Sequence, residues 1–117
     1  MTTRAEREAQ GRRGEMLAAW YLRLKGWRIL ARRVKTSRGE IDLVARRGTM
    51  VAFVEVKWRK TSAELDTAID PYRLRRVVAA TEAIGHRFVR KGDNHRIDVL
   101  LLAPGRWPRR IENASAN

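Results

Sequence analysis

At 117 residues the chain has room for one domain and one hydrophobic core. Its 26 Lys+Arg against 13 Asp+Glu give a net charge of +13, which favours a polyanionic partner, and an apolar share of 44% excludes wholesale disorder. The absence of cysteine excludes disulfide scaffolds, zinc ribbons and thiol chemistry and fits a reducing, cytoplasmic setting; no apolar run nears the ~18 residues of a membrane span, and Met1–Arg7 is not followed by the apolar segment of a signal peptide.

Residues 1–10 are polar and either fray or begin the first helix. Leu17, Trp20, Tyr21 and Leu24 recur at helical spacing and predict an apolar stripe, with Gly26 where such a helix stops. Trp27–Val34 reads as a strand. After the polar link Lys35–Arg38, the strands Gly39–Arg47 and Met50–Arg59 flank Gly48-Thr49, a two-residue turn with Gly at the first central position of a type II′ hairpin.

Asp70-Pro71 supplies an N-cap and a proline at the first helical position. Leu74, Val77, Val78, Thr81 and Ile84 then mark one face of a second helix that ends near Gly85. Arg96–Ala103 is the last strand, and its run Val99–Leu102 reads as buried on both faces, as in an interior strand. Pro104-Gly105 ends it, and residues 104–117 read as a loose tail. The order is α-β-β-β-α-β, an α/β fold in three layers with helices covering a small mixed sheet and the domain spanning residues 11–103.

The hairpin turn sets a register in which Asp42 lies opposite Glu55 and Glu40 opposite Lys57. Strand alternation then puts all four on one face, with Ile41, Leu43, Val54 and Val56 on the other. Two carboxylates about 5 Å apart repel by roughly 3 kcal/mol at an effective dielectric near 20. Lys57 offsets part of that repulsion, and a divalent cation would offset the rest. Mg²⁺ suits two carboxylates plus waters and phosphate oxygens, with Mn²⁺ as the alternative. The bland reading is a solvated ion-pair ladder, Glu40 with Lys57. Glu15, at the edge of the first helix's apolar stripe, either leans toward the same site or is an ordinary surface acid.

With Glu15 on a first helix, Gly39-Glu40-Ile41-Asp42-Leu43 on one strand and Val54-Glu55-Val56-Lys57 on the next, the chain resembles the YraN-like bacterial family, part of the PD-(D/E)xK nuclease superfamily. It is also similar in layout to archaeal Holliday junction resolvases. The likeness runs from about Gly11 to Leu102, supported by Gly11-Arg12-Arg13-Gly14-Glu15 and Arg96-Ile97-Asp98-Val99. The resemblance implies a restriction-endonuclease-like core and hydrolysis of phosphodiester bonds in nucleic acid, DNA more than RNA, with branched or junction DNA among the candidate substrates. It implies that Asp42, Glu55 and the Val56 carbonyl hold the metal, that Glu15 completes or supports the site, and that Lys57 positions or activates the attacking water and stabilises charge on the phosphate.

Arg12, Arg13, Arg59, Lys60, Arg73 and Arg76 are candidates for phosphate contacts. A junction-resolving activity would need a symmetric homodimer. The competing function is a basic nucleic-acid-binding module without turnover. Among the remaining residues, Trp20 and Trp27 read as core and Trp58 as packing; Trp107, among Arg106, Arg109 and Arg110, either stacks on single strands or rides on the tail. His86 and His95 read as surface residues, and Asp98 as the partner of a nearby arginine.

Overall fold

The computed structural model describes residues 3–61 and 70–114. Its elements run α1 (Arg4–Leu24), β1 (Arg28–Lys35), β2 (Glu40–Arg47), β3 (Met50–Trp58), α2 (Pro71–Ile84), a 3₁₀ turn (Gly85–Arg87), β4 (Asn94–Leu102) and β5 (Arg109–Ile111). The strands form one sheet in the order β1-β2-β3-β4-β5, antiparallel throughout except for the parallel β3–β4 pair. The α-β-β-β-α-β order is as expected, and the crossover through α2 makes β4 parallel to β3.

Local chemistry sets the element ends. The Thr3 side chain accepts from Glu6 N–H at 3.1 Å and caps α1, so residues 4–10 start the helix rather than fray. Asp70 Oδ1 accepts from Tyr72 N–H at 2.9 Å and starts α2, with proline in its first turn. Gly48 has a φ of 61° while Thr49 stays out of the left-handed region, as a type II′ turn requires. That turn fixes the β2–β3 register, from Arg47 opposite Met50 to Leu43 opposite Val54.

Two apolar layers enclose the sheet. On one face Ala18, Ala19 and Leu22 of α1 pack on Leu43, Ala45, Val54, Leu100 and Leu102. On the other, Val77, Ala80 and Ile84 of α2 pack on Ile41, Val44, Val51, Phe53 and Ile97. Each large side chain removed from water in these layers contributes roughly 1.5–3 kcal/mol.

The stripe of α1 that meets the sheet differs from the expected one. Gly14, Ala18 and Leu22, with Ala19, are buried, whereas Leu17, Trp20 and Leu24 are more than half exposed. Small residues win the contact because the sheet already fills the space: a Cβ on Gly14 would lie 3.4 Å from Trp58 Cβ and 3.8 Å from Val56 Cγ1. Trp20 is therefore not core. Trp27 is, and its ring lies under the guanidinium groups of Arg47, Arg96 and Arg110 at 4.6, 5.4 and 5.6 Å.

The segment expected to be a loose tail is docked instead. Arg109–Ile111 pairs with β4 and Ala114 is buried with Val99, Leu101 and Ala103. Asp98 anchors it: its fully buried carboxylate accepts from Arg96 Nε and from Asn113 N–H at 2.9 Å. Nothing in the composition of residues 104–117 announces this, because the anchor lies on another strand. Asp98→Ala leaves the half-buried Arg96 with the more distant Glu112, 3.7 Å away, and frees β5, and is expected to cost about 3 kcal/mol in urea unfolding at pH 7; loss of under about 0.5 kcal/mol would mean the anchor is not energetically engaged.

Candidate active site

The site forms where β2 and β3 part. Ladder pairing stops at Leu43–Val54, and one residue further the Asp42 carboxylate takes over from a backbone carbonyl, its Oδ2 accepting from Val56 N–H at 2.8 Å. The parting has a counterpart in β1. Arg33, between the Arg32–Leu43 and Val34–Ile41 pairs and hence across from Asp42, has a φ of 50°, rare for a residue with a side chain. This break resets the alternation: Ile41 joins the α2 core while Leu43 joins the α1 core. The expectation that Ile41 and Leu43 share a face fails for this reason.

Glu55 and Lys57, on regular β3, are buried on the α2 side. Glu55 Oε1 receives Lys57 Nζ at 3.2 Å and Arg73 Nη2 from α2 at 3.0 Å. Its Oε2 is buried and receives no N–H. Lys57 thus pairs with Glu55 rather than with Glu40, which is exposed on the rim of the cleft.

Asp42 bears the electrostatic consequence. Burial first, then the charge of Glu55, push its carboxyl up from 3.8 to about 7; the Val56 N–H opposes the rise and Glu15 adds to it. Asp42 and Glu55 are therefore brought together as the register predicts, although by convergence at a split rather than by facing across an intact ladder.

Glu15 reaches the same cleft from α1 and is held there by Arg33 Nε at 2.6 Å. Arg33 is the residue sequence reasoning misses. Its side chain is aimed by a backbone break that strand periodicity does not encode; the one signal is that Arg32-Arg33 interrupts the alternation by setting two basic residues side by side within the strand.

The cleft encloses about 870 Å³, and Glu15, Glu40, Asp42, Val56 and Lys57 line it. Of the six cations expected to contact phosphate, Arg12, Arg59, Lys60 and Arg73 line this cleft, joined by Arg7, Arg33 and Lys35. Arg13 lines a neighbouring groove instead. Arg76 borders neither, and its backbone packs against Gly39.

The donor set can be tested against a hard cation. Among the described residues no group of three or more acidic or histidine side chains is gathered for a metal. Two carboxylates that converge, one with an oxygen buried and without a donor and the other with its ionisation suppressed, nevertheless fit a small divalent ion that keeps part of its water. The Val56 carbonyl would be the third protein donor. Glu15, occupied by Arg33, would act as a support and not as a ligand.

The model of the Uncharacterised protein family UPF0102 matches residues 14–102, which span Glu15, Asp42, Glu55, Val56 and Lys57. A UPF0102 protein of Erythrobacter litoralis is 68% identical over 107 residues, 92% of each chain. One of Sphingopyxis alaskensis is 62% identical over 93% of this chain and 94% of its own, and one of Rhizorhabdus wittichii 58% identical over 97% and 96%. The chain belongs to the UPF0102 family.

Proposed function

We propose that this protein is a metal-dependent nuclease of the PD-(D/E)xK type that hydrolyses phosphodiester bonds in nucleic acid, DNA before RNA. The observation that carries the reading is that Asp42 and Lys57 line a cleft rimmed by arginine and lysine, with Glu55 buried beside them. Lys57 and Arg73 both pair with Glu55, whereas the second buried acid, Asp42, accepts from the Val56 N–H and has its charge suppressed by burial and by Glu55. That cost is understandable if a cation relieves it.

Asp42, Glu55 and the Val56 carbonyl would hold Mg²⁺, which when bound supplies Lewis-acid polarisation of the phosphoryl oxygen. The chain's own groups do the rest. Arg12, Arg59 and Arg73 bind and orient the phosphate backbone. Lys57, held by Glu55 at 3.2 Å, presents its ammonium to the nonbridging oxygens as charge develops, and orients the attacking water. Arg33 fixes Glu15 and so the acidic wall of the cleft.

The test is cleavage of labelled duplex, single-stranded and four-way-junction DNA with and without Mg²⁺. Wild type is expected to cut at least one substrate only with metal, and Lys57→Ala and Glu55→Gln to lose about a hundredfold or more of the rate. Equal cleavage by all three proteins would place the activity elsewhere.

One observation favours a second reading, a basic binding module without turnover: Lys57 and Arg73 already neutralise Glu55, and Arg33 neutralises Glu15. That reading predicts no heat of Mg²⁺ binding and unchanged nucleic-acid affinity in Asp42→Asn.

A further inference from the structure

Three of the chain's four tryptophans line one groove, Trp58 from the edge of the core and Trp20 and Trp107 from the surface. Trp20, Trp58 and Trp107 line a groove of about 440 Å³ with Leu17 and two prolines, and Trp20 and Trp107 are 55% and 77% exposed. Aromatic rings of this size are normally buried, so a concave surface holding two of them in water has an occupant to account for. The charged residues on its wall are Arg13 and Arg106, and among the described residues no acid lines it. Gln10 adds an amide able both to donate and to accept.

The groove adjoins the carboxylate cleft, since Gln10 and Trp58 border both. Its α1 wall, Gln10, Arg13, Leu17 and Trp20, is the stripe left over when the small-residue face of the helix packs on the sheet.

We propose that this groove is a stacking subsite for unpaired nucleotides of a nucleic-acid strand whose backbone lies in the adjacent cleft. For its substrate class the inference rests on the nuclease reading above. A base offers a flat π-face to Trp20 and Trp107, Gln10 can meet its polar edge, and Arg13 and Arg106 meet the flanking phosphates. Charge complementarity favours this occupant over a second copy of the chain. A two-fold interface would set this patch against itself, bringing arginine toward arginine in a protein of net charge +13 with no acid on the patch to answer it. Two concave surfaces would also leave each other unfilled. The enzyme would accordingly act where duplex meets single strand, at flaps, gaps or branches.

The experiment measures fluorescence anisotropy of a labelled oligothymidine and of a blunt duplex, in EDTA so that no cleavage intervenes. Wild type, Trp20→Ala, Trp107→Ala and Trp107→Phe are compared, with circular dichroism to confirm folding and sedimentation to report association state. The two alanine variants are expected to lose roughly tenfold in single-strand affinity with little change for duplex, and Trp107→Phe to recover most of the loss. Unchanged single-strand binding in both alanine variants overturns the subsite, even if the wild type cleaves DNA. A dimer that dissociates in these variants also overturns it, and assigns the groove to self-association. Selective loss in a protein that cleaves nothing upholds the subsite and removes only the nuclease reading.

Discussion

Asp42→Asn is expected to make the metal-free protein more stable at pH 8, by about 3 kcal/mol, and no more stable at pH 4. The Asp42 carboxyl rises from an ordinary 3.8 to about 7 in the folded chain, chiefly through burial and then through Glu55. Between those values the folded state holds a proton that the unfolded state has lost, so stability is full below about pH 4 and is lost as pH rises to and through about 7. At about 1.4 kcal/mol per unit, three units set an upper bound near 4 kcal/mol, and relaxation around the ionised pair brings the expectation somewhat lower. Asparagine keeps an oxygen for the Val56 N–H and can donate to Glu55, so the substitution removes the repulsion without breaking the strand junction.

Urea titrations at pH 4, 6 and 8 in EDTA check this directly. Adding Mg²⁺ should invert the order, because wild type gains about 4 kcal/mol at a thousandfold excess over Kd while the variant gains little. An asparagine variant that is less stable at pH 8 and indifferent to metal would show that Lys57 and Arg73 already compensate both carboxylates, and the binding-module reading would take precedence.

Gly39→Ala is expected to be the most damaging small substitution in the chain, costing about 3 kcal/mol and roughly 10 °C in Tm. A Cβ at position 39 would be driven onto the backbone carbonyl oxygen of Arg76 and within 3.0 Å of its carbonyl carbon. A helix backbone cannot rotate out of the way as a side chain can, so α2 must lift from the end of β2. Arg73, one turn earlier on α2, would then leave Glu55, now 3.0 Å away. The variant should therefore lose metal affinity along with stability, measured by differential scanning calorimetry and by Mg²⁺ titration of the folded fraction. A Tm within about 2 °C of wild type would mean that α2 does not bear on the β2 terminus.

Gly39 also shows how the sequence and the fold divide the information. Its place in Gly39-Glu40-Ile41-Asp42 was visible at once, but the reason for a glycine was not, since the atoms it must avoid are on a helix more than thirty residues away. Arg33 is a stronger case: its importance comes from a left-handed backbone torsion and from Glu15 on another element, and neither has a local sequence signature.

Local signals were sufficient where the physics is local. The hairpin register follows from a two-residue turn, helix α2 from a cap and a proline, and the order of elements from hydrophobic period. Those together bring Asp42 near Glu55 with Lys57 beside it. Tertiary structure decided which stripe of α1 is buried, because both stripes are apolar and the choice depends on how closely the sheet's side chains let the helix approach. It also decided that the C-terminal segment docks, through a buried Asp98 whose partners are set by strand pairing. Periodicity reports which residues avoid water; only packing determines which of them succeed.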